Sequence, residues 1–136
     1  MDATLQLNIV TAIKQFVNQN ANGQLNNEEL GLVCARANAE IKFGETTTIS
    51  WNGQDVDAYV VNIAAKQSSL SSEIVDGVQY DKLHMETIAL VVDDTNVAVV
   101  KRSYDAYSKD DDEMFVKNEV LESVNDVDTT EYRFYK

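Results

Sequence analysis

Histidine occurs once in this chain, at His84, and cysteine once, at Cys34. Nucleophilic catalysis needs a Ser or Cys held within hydrogen-bond reach of a general base, so any such pair would have to use His84. Nothing in the sequence places Cys34 or a serine beside it. Its neighbours Leu83 and Met85 suit a structural or surface histidine. Structural zinc takes four Cys or His ligands, and catalytic zinc three protein ligands, so two such residues do not suffice. The five glycines form no phosphate cradle. What the chain holds in quantity is carboxylate. The pair Asp93-Asp94 is of the kind chance gives in so acidic a chain. The run Asp110-Asp111-Asp112-Glu113 is dense enough to hold a hard cation loosely, and equally suits a solvated loop leading into a helix cap. No enzyme is expected.

The charge is uneven. There are 23 acids against 11 bases, net −12; residues 1–68 carry −3, residues 69–136 carry −9, and Asp105 to Glu131 alone carries −8. Direct nucleic-acid binding needs a basic footprint, and anionic membranes repel such a chain. A basic protein is the partner this charge permits; the same charge also serves plain solubility. One cysteine forbids an internal disulfide, which suits a reducing cytoplasm. Met1-Asp2-Ala3 opens without the basic and apolar regions of a signal peptide, and no apolar run is long enough to span a bilayer. A single domain of 136 residues with 44% hydrophobic content is expected, large enough for a real core.

Two helices should lead the chain. Leu5, Ile9, Ile13, Phe16 and Val17 put one apolar stripe on a helix over Thr4 to Val17. After a turn-prone run with Gly23, Asn26 can cap a second helix and Glu29 can close a capping box, with Leu25 and Leu30 as a staple. Leu30, Val33, Cys34, Ala37 and Ile41 form its buried stripe, and Gly44 stops it. Within this hairpin, Asn18, Asn20, Asn22, Gly23 and Glu29 stand at the spacing D-x-[DN]-x-[DN]-G-x5-E, and the segment resembles an EF-hand calcium loop. The resemblance covers about a quarter of the chain. It implies Asn18, Asn20 and Asn22 as side-chain oxygen ligands, Gln24 through its carbonyl, Asn26 through water and Glu29 as the bidentate carboxylate. The family's first ligand is Asp and here it is Asn18. Only Glu29 would be charged, so calcium affinity should be weak, roughly millimolar, or absent. The same residues also make an αα-hairpin whose cap needs no metal.

From Gly44 the apolar period changes to two. Glu45 to Trp51 and Gln54 to Ala64 flank Asn52-Gly53, a strong hairpin signal that pairs Trp51 with Gln54, Ile49 with Val56 and Thr47 with Ala58. Ser72 to Tyr80 holds a second turn at Asp76-Gly77, with a short helix over Ser69 to Val75 as the alternative. Glu86 to Val92 and Val97 to Tyr104 are doubly buried strands, Tyr104 to Asp112 a charged loop, Glu113 to about Val124 a third helix capped by Asp112, and Thr129 to Tyr135 a closing strand. The expected class is α+β: two N-terminal helices and one C-terminal helix packed on an antiparallel sheet of about five or six strands.

Size, acidity and missing catalytic groups resemble, in type and without a shared motif, the phage anti-CRISPR, anti-restriction and nuclease immunity proteins. The first functional reading is therefore a non-enzymatic inhibitor that binds a basic, nucleic-acid-handling protein where phosphates would lie. Its contact surface would be Asp105, Asp110, Asp111, Asp112, Glu113, Glu119 and Glu122, anchored by Tyr104 and Tyr107. A weak calcium module over Asn18 to Glu29 and an acidic secretion chaperone or virion adaptor are the alternatives. No cofactor other than calcium is expected.

Overall fold

The computed structural model describes residues 2–20, 25–110, 113–125 and 127–136. Helix α1 spans Ala3–Asn20 and α2 spans Asn27–Phe43. Both form for local reasons. The Asp2 carboxylate accepts the Leu5 amide at 2.7 Å at the head of α1. Asn26 caps α2 in a complete capping box, accepting the Glu29 amide at 2.8 Å while its own amide donates to the Glu29 carboxylate at 3.4 Å. Satisfying these orphan amides is worth about 1 kcal/mol per cap. At the far end, a Cβ on Gly44 would lie 2.7 Å from the Glu40 carbonyl oxygen, so any other residue there would force the backbone to shift where the chain leaves the helix. No helix among the described residues is long and apolar enough to cross a membrane.

The strands are β1 (Thr47–Trp51), β2 (Gln54–Ala65), β3 (Ser69–Val75), β4 (Val78–Asp93), β5 (Asn96–Lys109), β6 (Glu113–Ser123) and β7 (Arg133–Phe134). They make one antiparallel sheet in the order β1-β2-β4-β5-β6, with β3 also on β4 and β7 on β2. The long β4 is shared along one edge: β2 pairs with Thr87 to Val92, and β3 with Val78 to His84. Asn52-Gly53 and Asp76-Gly77 all have positive φ, the two-residue turn whose twist matches a hairpin. The first hairpin has the register its sequence predicts, Thr47↔Ala58, Ile49↔Val56 and Trp51↔Gln54.

Alternation along the strands gives the sheet two cores. On one face Val61, Ile63, Ala64, Ile88, Leu90 and Val92 pack under α1 and α2. Residues such as Ile88, Leu90 and Ile63 are fully buried, each contributing about 1.5–3 kcal/mol relative to exposure. On the other face Ile49 and Ala58 of the β1–β2 hairpin pack with Ala89, Val91 and Val100. The apolar face of that hairpin therefore belongs to the second core and not to the layer beneath the helices.

Three expectations are corrected. Among the described residues there is no C-terminal helix: Glu113 to Ser123 is β6, paired with β5, and a 3-10 turn at Thr129–Glu131 follows before the two-residue β7. Among the described residues the sheet has seven strands where about five or six were expected, so the class is α+β with sheet dominant. The stretch from Tyr104 onward is not a loop, since β5 runs to Lys109. One cause accounts for the β6 misreading. Asn118 sits at φ 59, and the register slips there, from Ser103↔Val120 to Asp105↔Lys117. Such a bulge inserts a residue and reverses the faces, so Met114, Val120 and Leu121 lose period two and, with Val124 beyond the strand, mimic the apolar side of a helix. The short-helix alternative over Ser69 to Val75 gives way to β3 and its hairpin turn.

Candidate functional site: the distal ribbon

None of the described residues within 69–84 and 104–118 belongs to the core packed by the helices. Here β3, β4, β5 and β6 continue as a four-stranded ribbon, and its two faces differ. The register places Glu73, Tyr80, Lys82, His84, Asp105, Tyr107, Phe115 and Lys117 on one face. Phe115 stacks on Tyr107 (centroids 4.8 Å, planes 9° apart), and Tyr80 meets Phe115 edge-on at 5.0 Å. Lys82 and Lys117 lie 6.0 and 5.7 Å from the Tyr107 ring centre. The Tyr107 hydroxyl donates to Glu73, which pushes its own pKa up to about 12 and holds Glu73 below the usual carboxylate range. Asp105, only 8% exposed, accepts from the Asn118 amide at 2.9 Å and from His84 Nδ1 at 2.8 Å, with Lys82 Nζ at 3.9 Å. The hydrogen bond from Asn118 is the largest cause holding Asp105 below its ordinary value, followed by that from His84.

The opposite face is mixed, with a polar row of Ser72, Asp81 and Ser108 that ends in Met114 beside an apolar row. Leu70, Leu83, Ala106 and Val116 form one straight cross-strand row, flanked by Ile74, Met85 and Met114. Leu70, Ile74 and Met114 are 70%, 70% and 75% exposed, and Val116 is 47%. Scattered exposed hydrophobes are ordinary; a contiguous set on one face marks an interaction surface.

The residues expected to form an acidic contact surface divide among several places. Asp105 and Tyr107 are buried in the network just described. Tyr104 is buried on the other face, its hydroxyl accepting from Asn62 at 3.0 Å and its ring 4.0 Å below the Arg102 guanidinium. Glu119 pairs with Arg102 at 2.7 Å, and Glu113 accepts from the Tyr80 hydroxyl at 3.3 Å. Glu122 is exposed opposite Lys101, and Asp110 is exposed in the β5–β6 turn. Asp111 and Asp112 lie outside the described residues. Asp110 and Glu113 thus both stand at the ribbon tip, and the other described acids have internal partners or lie on separate faces. Glu73, Lys82, Phe115 and Asn118 were not singled out from sequence. Alternation through Tyr80, Lys82 and His84 after the Asp76-Gly77 turn is the signal that points to them.

In the EF-hand-like segment, Asn18 and Asn20 stand in the last turn of α1, where the Asn20 amide donates to the Phe16 carbonyl at 3.3 Å. The Glu29 carboxylate is engaged first by Lys136 and then by the cap amide of Asn26, which hold it below its ordinary pKa. Asn22 and Gln24 lie outside the described residues. Among the described residues no three His, Cys, Asp or Glu side chains gather as a metal site would need. Comparison of the chain with protein-family models, with curated proteins and with solved structures finds no match.

Proposed function

We propose that the protein acts by contact, as a non-catalytic inhibitor or interaction protein whose partner is a basic, nucleic-acid-handling protein. The observation that carries this reading is an exposed apolar pair near the acid turn: Met114 and Val116, 75% and 47% exposed, share one ribbon face, and Met114 directly follows Glu113 at the ribbon end that leads from Asp110. An apolar centre with a polar rim is the usual anatomy of a protein interface. A net charge of −12 selects a cationic partner and speeds encounter with it. A surface that binds phosphates is cationic, and an acid-rimmed patch seated there would exclude nucleic acid by occlusion.

The test is affinity capture from the native host with wild type and two variants in parallel, Met114→Ser/Val116→Ser and Asp110→Lys/Glu113→Lys. A basic, nucleic-acid-binding protein retained by wild type, lost with the apolar variant and bound more slowly by the charge variant is expected. Retention by both variants at low and high salt would refute the reading. The same apolar pair also supports the adaptor or chaperone alternative. There the charge only solubilises, so charge reversal would leave capture intact while the serine variant abolished it.

A further inference from the structure

The outer edge of β3 is unguarded. Sheet edges are usually blunted by lysine, proline or a bulge, and Ser69–Val75 has none of these and a single charge, Glu73. Among the described residues β3 pairs only with β4. The two-residue Asp76-Gly77 turn makes Val75 and Val78 the closing pair that exchanges both hydrogen bonds. By alternation Leu70, Ser72 and Ile74 then point their N–H and C=O groups away from β4. Two of these three also carry side chains that are 70% exposed.

We propose that this edge pairs with β3 of a second copy of the chain, antiparallel, about a two-fold axis at Ser72. The segment is close to self-complementary about that residue. Ser72 meets Ser72, Leu70 meets Ile74 of the second copy and Ile74 its Leu70, so all three outward positions become bonded pairs, about six hydrogen bonds in all. On the other face Glu73 meets Ser71, so no like charges are opposed, which matters in a chain of net charge −12. The register also carries Asp76 of the second copy opposite Ser68, beside a cleft lined by Lys66, Gln67, Thr130, Glu131 and Arg133. Lys66 is already paired there with Glu131 at 3.0 Å and Glu86 at 3.8 Å, so Arg133 is the cation left to face the acidic turn. An interface in which the same patch meets itself closes as a dimer and grows no further. Pairing at the edge leaves Met114 and Val116 uncovered, so it stands independently of the function proposed above.

Sedimentation equilibrium of the full chain tests it. The edge buries less than a standard interface, so dimerisation with a dissociation constant of about micromolar order is expected. Ser72→Pro removes the outward N–H at the axis while suiting a free edge, and should weaken the dimer at least about tenfold. Ser72→Cys should form an intermolecular disulfide on mild oxidation, because bonded pairs hold Cα atoms about 5.5 Å apart, within disulfide reach. Ser71→Cys, opposite Glu73, should not. Cys34 is buried and does not compete. A wild type that stays monomeric to about millimolar concentration would overturn the proposal and leave the edge to a strand of another protein. Equal cross-linking of the two cysteine variants would overturn the register.

Discussion

Replacing Asp105 by asparagine should lower stability by about 2 kcal/mol at neutral pH. The carboxylate is 8% exposed and accepts from Asn118 at 2.9 Å and His84 at 2.8 Å. An amide keeps one oxygen and turns an NH2 toward whichever donor remains. One charge-assisted bond is therefore lost, at about 1.5–3 kcal/mol. The partly exposed Lys82, 3.9 Å away, adds about 0–1 kcal/mol. For a chain of this length the melting temperature should fall by about 6–10 °C. The pH dependence gives a second check. Asp105 is held below its ordinary value in the folded state, chiefly by Asn118 and then by His84. Its contribution is therefore complete above the unfolded pKa of about 3.9 and is lost as pH falls through the folded value. The gap between wild type and Asp105→Asn should close in that acid window. Thermal melts by circular dichroism between pH 7 and pH 2 measure both. An unchanged melting temperature at pH 7, or a gap that stays constant into acid, would refute the reasoning.

Asn118→Gly keeps the left-handed backbone and loses only the bond to Asp105, at about 1–2 kcal/mol, whereas Asn118→Val adds backbone strain of about 1–3 kcal/mol; chemical denaturation of the two variants measures the difference. Gly44→Ala sets a methyl 2.7 Å from the Glu40 carbonyl oxygen and should cost about 1–3 kcal/mol, read as a lower melting temperature. Ile88→Ala, at 0% exposure under the helices, should cost about 2–5 kcal/mol in urea denaturation. Calorimetric titration should find no tight calcium site at Asn18 to Glu29. Micromolar binding that Glu29→Gln abolishes would instead support the EF-hand resemblance.

The N-terminal half was readable because its signals are local. The stripe from Leu5 to Val17, the capping box at Asn26 and the Asn52-Gly53 turn each fix their element within a few residues. The ribbon was harder because its determinants are cross-strand. Phe115 becomes a strand residue by stacking on Tyr107, and Asp105 becomes internal through Asn118, a bulge residue that breaks the alternation on which a strand is recognised. The density of acid between Asp105 and Glu131 was plain in sequence. That Asp105, Glu113, Glu119 and Glu131 meet Asn118, Tyr80, Arg102 and Lys66 depends on register, which composition does not carry.

The length of β4 has a kinetic consequence. Its Thr87 to Val92 half is flanked by β2 and β5 and buried on both faces, while its Val78 to His84 half is flanked by β3, and by β5 only from Asp81, beyond the helices. Backbone amides open with free energies that follow local burial. Amides of the inner half therefore exchange their hydrogens for deuterium only when the whole molecule unfolds, and those of the outer half exchange through fraying of the ribbon. One continuous strand thus spans two tiers of protection, with the boundary at Met85 and Glu86. Any ligand of the ribbon would slow exchange in the outer tier and leave the inner one unchanged.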